Sequence, residues 1–332
     1  MAASLLVLTA IAASLDLLPT KGKRRTPTTT LKPAAGSVSA TGAGATAGAG
    51  AVTKGSPPPS KDCAGTPGSG QPSYASMDAC GFPSPDTTGV PSGTTLTPYT
   101  GPSNITRAGT TIKDAEITSP VWISANNVTI EDSDIEYASS GNGAITIGSG
   151  VTGALVEYDT IHGSNNTQAG NLDSAVENAN YTEGANAVTV DHVEFYNGQR
   201  ILHGPGMLQN SFCLDNVAVS GAHYECVYEG GGSVTINHNT LLTSFSQTAA
   251  IYLSTDFAPL GTVQVTNNLL AGGGYALYGG AGSGITSETV TGNRFSRLYY
   301  ANSGEWGPSA YMPSSYTWSG NVWDDTRGAV SR

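Results

Sequence analysis

The segment HYECVYEGGG, residues 223–232, sets a histidine, two glutamates, two tyrosines and a cysteine within seven positions and then ends on three glycines. Histidine and tyrosine move protons near neutral pH, and a carboxylate can act as an acid, a base or a nucleophile. Arg200 is the only Lys or Arg between Lys113 and Arg294. In an acidic, glycine-rich chain such a cation is either paired with a carboxylate or placed for an anionic ligand. With His203 or Tyr228 beside it, Arg200 would meet the needs of β-elimination on a uronic acid. The cation neutralises the substrate carboxylate, a base takes the neighbouring C5 proton, and the leaving oxygen is expelled. Hydrolysis needs two carboxylates about 5 Å apart for retention, or about 6.5 to 9.5 Å for inversion. Glu225 and Glu229 on one extended strand lie about 13 Å apart, so they fail as a pair. Glu225 with Glu177, or Glu229 with Asp256, could approach across a turn of the chain. In the alternative reading His223 and Glu225 only hydrogen-bond the backbone of a rigid corner.

What must position these groups is a β structure. Of 332 residues, 43 are Gly and only 12% are charged, with abundant Ser, Thr and Asn, a composition that disfavours helix interiors. The net charge of -11 argues against a nucleic-acid partner, since phosphate contacts need basic groups. From about residue 105 one pattern recurs, an apolar residue followed five positions later by another, often with Asn, Asp or Ser two before the second. The copies are IEDSDI (130–135), VEYDTI (156–161), VDHVEF (190–195), MLQNSF (207–212), INHNTL (236–241), VTNNLL (265–270), VTGNRF (290–295) and WSGNVW (318–323). Short strands rich in Val, Ile and Thr at this spacing, broken by Gly and Asn, predict a single-stranded parallel β-helix solenoid of about 8 to 10 rungs. Two intervals stand out. The 17-residue step from Phe195 to Phe212 implies a tight rung or a spurious copy, and the 34-residue step between Ile161 and Phe195 implies an inserted loop at a binding face.

Stacked rungs bring residues one period apart to within about 4.8 Å. Taking Val176, Ile201, Val227, Ile251 and Leu277 as inward-facing, their successors Glu177, Leu202, Tyr228, Tyr252 and Tyr278 form one outward column. The residues before the anchors, Ala175, Arg200, Cys226, Ala250 and Ala276, form another. This stacking places His203 near Glu229, with Asn178 one rung earlier. Tyrosines in register either stack against sugar rings or simply against one another.

The stretches CGFPSPDTTGVP (80–91), ANNVTIEDSDI (125–135) and VTINHNTL (234–241) carry a likeness to a known family. Over about residues 78–330 the chain resembles the right-handed parallel β-helix proteins of the pectate-lyase-like superfamily, in particular secreted actinobacterial members. The resemblance places His223 on a family histidine and Glu225 on a family aspartate. It implies a polysaccharide partner, and together with the lone Arg200 and the stacked His203 and Tyr228 it gives the expected catalytic set Arg200, His203, His223, Glu225 and Tyr228. Glu177, Asn178, Glu229, Tyr252, Asp256 and Tyr278 are the expected substrate-binding residues. The expected reaction is lyase cleavage of an acidic polysaccharide; glycoside hydrolysis and non-catalytic carbohydrate binding are the alternatives the same scaffold supports. The lysine common in related lyases is missing. The DD and HG motifs of β-helix polygalacturonases survive only as fragments at Asp324-Asp325, His162-Gly163 and His203-Gly204. Many such lyases hold Ca2+, for which Asp173, Glu177 and Glu183 are the candidates here, without a fixed spacing.

Residues 4–18 form an apolar stretch interrupted by Asp16, read as an export signal or short membrane anchor within residues 1–25. Residues 26–72, almost entirely Thr, Pro, Ala, Gly and Ser, read as a disordered linker to a domain at 73–332. The protein is then expected to be a monomer, secreted or on the outer face of the cell envelope. Four cysteines in such a chain pair most simply as Cys63 with Cys80 and Cys213 with Cys226.

Overall fold

Each repeated segment is a corner at which one short strand hands over to the next. In the computed structural model, which describes residues 62–332 except 182, 183, 185, 281–284 and 314, the third residue of each copy, or the fourth in MLQNSF, turns the chain. Asp132, Tyr158, His192, Asn210, His238, Asn267, Gly292 and Gly320 all have φ between 50° and 70°. This left-handed conformation is tolerated best by Gly, Asn, Asp and His, which explains the polar residues inside an apolar frame. The following side chain turns inward. Asn239, Asn268, Asn293 and Asn321 stack as a buried ladder, each of the first three donating Nδ2 to the Oδ1 of the next at 3.0 Å. Each also donates to a backbone carbonyl on the preceding rung. Asn268 makes two donations and accepts two, so Asn268→Ala strands buried backbone and amide groups on both neighbouring rungs. A loss of about 3 kcal/mol or more is expected in denaturant titration.

The strands form three parallel ladders running the length of a right-handed parallel β-helix. Face I runs from Thr97–Pro98 to Val322–Trp323, face II from Asn104–Ile105 to Gly307–Ala310, and face III from Thr111–Lys113 to Thr317–Ser319. Face III has nine strands among the described residues, one per rung. The core is a continuous stack of Val, Ile and Leu from all three faces, nearly all of them fully buried.

The short rung is real, and its register moves by one residue. Val190 pairs with Leu208, so the copy is LQNSFC (208–213) rather than MLQNSF. The rung fits in so few residues because strand Glu194–His203 runs without a break through faces I and II, pairing with Phe212–Asp215 at one end and Val227–Glu229 at the other. The long interval before it holds strand Leu172–Glu177 and the segment around Tyr181.

The folded unit begins earlier than the expected boundary at 73. Cys63 and Ala64 are fully buried and both backbone N–H groups donate to Asp324 Oδ2, at 2.6 and 3.0 Å. The lead-in, with helix Tyr74–Cys80 and the Cys63–Cys80 disulfide, covers Phe212, Leu242 and Leu269 on the outside of face I. Thr, Pro and Gly content concealed this, because much of the segment is held by one disulfide and by backbone donors, Cys63 and Ala64 to Asp324, Gly68 to Arg297 and Gly70 to Leu298. The export or anchor segment, and the linker as far as residue 61, lie outside the described residues. At the far end Trp318 packs on Phe295 and donates Nε1 to Val330 O. Trp306 takes no part in that cap and is 65% exposed.

Candidate functional site

Face II builds the site. Its inward column is Val121, Ile145, Val176, Leu202, Val227, Ile251 and Leu277. Leu202 therefore takes the place expected for Ile201. Both residues are fully buried, so hydrophobicity could not choose between them. The one-residue correction flips the chemistry of this rung. His203, not Leu202, joins the outward column, in register with Glu177 before it and Tyr228 after it. Arg200 sits beside Ser174 rather than Ala175. Glu225, two residues before Val227, replaces Cys226 as its neighbour on the next rung.

Arg200 lies between two carboxylates. Nη1 donates to Asp173 Oδ1 at 3.0 Å and Nη2 stands 3.1 Å from Glu225 Oε2. Burial works to lower its pKa, but the charges of Glu225 and Asp173 hold it above the ordinary arginine value. Between the two readings of Arg200, pairing with carboxylates is what the structure contains. Glu225 has no exposed surface; its Oε2 pairs with Arg200, while its Oε1 has no hydrogen-bond partner among the described residues. Burial pushes its pKa up to about 7 against the opposing pull of Arg200. The corner reading, in which Glu225 hydrogen-bonds the backbone, is thus not what is found. The Cys213–Cys226 disulfide fixes the chain immediately after Glu225. His223 is 64% exposed and stands over the site, Nδ1 3.9 Å from Glu225 Oε1 and 3.3 Å from Thr248 Oγ1.

His203 Nε2 is 3.0 Å from Tyr181 Oη, and the ring meets Tyr228 edge-on at 5.0 Å. Burial, followed by the charge of Arg200, lowers its pKa to about 4, so the imidazole is neutral at pH 7. Tyr181 comes from the insertion between Ile161 and Val190, as does Asp173, so the long interval does reach the site. Burial raises the tyrosine pKa of both Tyr181 and Tyr228, which keeps the phenols protonated. The Arg200 guanidinium lies 5.7 Å from the Tyr228 ring centroid.

Arg200, His203, His223, Glu225, Tyr228, Tyr252, Asp256 and Phe257 surround one cavity of about 360 Å³. A second, of about 490 Å³, shares His223, Tyr252 and Asp256 and continues to Tyr278 and Tyr311. Tyr228, Tyr252, Tyr278 and Tyr311 follow one another at ring-centroid separations of 5.4, 5.5 and 5.2 Å. Tyr228 stacks on Tyr252 and Tyr278 on Tyr311, with interplanar angles of 29° and 14°, while Tyr252 meets Tyr278 edge-on at 75°.

Three expected substrate-binding residues are engaged otherwise. Asn178 is fully buried and donates Nδ2 to Pro205 O. Glu229, also buried, accepts from Gly231 N–H. Glu177 accepts from Gly143 N–H at 2.9 Å. Of the calcium candidates, Asp173 and Glu177 are committed in these ways and Glu183 lies outside the described residues. Among the described residues no group of three or more His, Cys, Asp or Glu is arranged to hold a metal. Tyr181, Phe257 and Tyr311 border the site but were not expected from the sequence. Tyr311 and Phe257 sit outside the repeat's strands, and Tyr181 inside a loop whose path no periodicity specifies.

The protein is thus a right-handed parallel β-helix with an aromatic groove along one face, an architecture compatible with carbohydrate-active β-helix enzymes in general. Comparison with protein-family models, with curated proteins and with solved structures finds no match to the chain. The likeness to the pectate-lyase-like superfamily accordingly holds at the level of β-helix architecture, and no homology ties the chain to that superfamily or to actinobacteria. Two disulfides in such a fold are consistent with extracellular proteins in general.

Proposed function

We propose that the protein is an extracellular polysaccharide lyase, binding an extended chain along the tyrosine column and cleaving it by β-elimination at the cavity floored by Glu225. The observation that carries this reading is the placement of a buried Glu225, paired through Oε2 with Arg200 and with Oε1 unpartnered among the described residues, in the same cavity as a neutral His203. A uronic acid carboxyl group arriving at Arg200 would draw a proton onto Glu225, whose pKa already stands near 7. The protonated Glu225 and Arg200 together then hold the substrate carboxyl group and the charge that develops on it. His203 takes the C5 proton, the electron pair forms the C4–C5 double bond, and the C4–O bond breaks. The departing oxygen is protonated by Tyr228 or Tyr181, both of which retain their protons at neutral pH. No step depends on the missing lysine.

A second reading has its own observation. Arg200 already has two carboxylate partners, which suits a face that binds carbohydrate without turnover. Incubation with acidic and neutral polysaccharides separates the readings. New ultraviolet absorbance from an unsaturated sugar, together with new reducing ends, is the expected result. Reducing ends without absorbance would move the assignment to hydrolysis, and binding without either would leave the non-catalytic face.

A further inference from the structure

The two cavities differ in charge. Among the described residues Arg200 is the only Lys or Arg around either of them, and it belongs to the smaller one. Its charge is met by Asp173 at 3.0 Å and Glu225 at 3.1 Å. The larger cavity is bordered by His223, Tyr252, Tyr278, Tyr311 and Thr248, and Asp256 is the one carboxylate among the described residues that line it. Asp256 lies 3.4 Å from Tyr228 Oη and has no cation partner among the described ion pairs. The next cation along the groove, Arg332, lies beyond Tyr311 over the Tyr316 ring. A polyanion with a carboxylate on every sugar would therefore set most of its charges against Asp256 and neutral phenols, with no Lys or Arg among the described residues of that cavity to compensate them.

We infer that the groove selects an uncharged or sparsely charged chain, taking neutral sugars, or uronic acids masked as esters, over Tyr252, Tyr278 and Tyr311 and admitting one carboxyl group only beside Arg200. This rests on the carbohydrate-cleaving reading and names its substrate class. Ring spacings of 5.4, 5.5 and 5.2 Å are close to the length of one pyranose in an extended chain, giving each rung one sugar. Apolar C–H faces of sugars suit these rings, whereas a carboxylate at the same place would lose water without gaining a partner.

The test measures binding of the full chain to galacturonan and glucuronan, each as the free acid and as its methyl ester, by calorimetry at low and high salt. At low salt at least one ester is expected to bind about tenfold or more tightly than its own free acid, and the difference to shrink as salt screens the repulsion. Asp256→Lys is expected to narrow the gap from the other side by strengthening binding of the free acid. Free acids binding as tightly as their esters at low salt, or a preference unaffected by both salt and Asp256→Lys, would overturn the inference and leave the carbohydrate reading intact. Binding of none of the four polymers, nor of a neutral β-linked glucan measured in the same way, would instead remove the carbohydrate reading on which it rests.

Discussion

Glu225→Ala is expected to lower cleavage about a thousandfold, while Glu225→Gln keeps most of the activity and extends it to higher pH. The asymmetry follows from the state in which Glu225 works. As a proton donor to the substrate carboxyl group it must be neutral, and a glutamine amide is neutral and donates at every pH. Ionisation near pH 7 then sets the alkaline limb of the wild-type profile, and protonation of His203 near pH 4 sets the acid limb. Activity is expected to be bell-shaped between these values, and Glu225→Gln to remove the alkaline limb alone. Steady-state rates from pH 3 to 9 for the three proteins check this. If Glu225→Gln is as inactive as Glu225→Ala, Glu225 acts as a hydrolytic acid or nucleophile instead, since those roles need a transferable proton or an anionic oxygen. A melting curve on each variant excludes loss of fold as the cause, and Arg200→Ala, which leaves Asp173 and Glu225 without their shared cation, should lower both activity and melting temperature.

The repeat made the fold legible because every rung obeys the same two requirements, an inward apolar residue and a left-handed corner. Asn239, Asn268, Asn293 and Asn321 advertise those corners directly. The disulfide pairs were legible for a different reason, since four cysteines in two sequence-local pairs leave one simple solution, and both bonds are present. The site was legible in its membership and not in its register. Ile201 and Leu202 are both buried, as are Ala175 and Val176, so strict alternation fails on the very rungs that carry Arg200 and Asp173. A slip of one residue there placed Cys226 beside Arg200 where the fold places Glu225. Burial was equally invisible: Asn178 and Glu229 have polar side chains of the expected type, but their atoms serve Pro205 and Gly231. Sequence types say what a residue can do, and only the path of the neighbouring backbone says whether its polar atoms are already used.

Melting temperature is expected to fall by on the order of 10 °C between pH 5 and pH 8, the second large effect the structure implies. Asp159, Asp215 and Glu229 are fully buried, with pKa values well above the ordinary carboxylate range because burial disfavours the charged form. Glu288 is raised to about 8 by burial, and Glu194 and Glu225 to about 7, chiefly by burial as well. Each therefore holds its proton in the folded state at a pH where the unfolded chain has released it. Between the unfolded value near 4 and the folded value near 7 or 8, the native state binds more protons, so stability is fully present below that window and declines as pH rises through it. Summed over these groups, with relaxation and water penetration reducing each, the loss is on the order of 5 kcal/mol. Scanning calorimetry across this range measures it, and Glu288→Gln should flatten the slope, since Glu288 lies outside the groove and both its oxygens are buried without a hydrogen bond among the described residues. A melting temperature that rises from pH 5 to pH 8 would mean that these carboxyl groups are, on balance, ionised in the fold and held by partners.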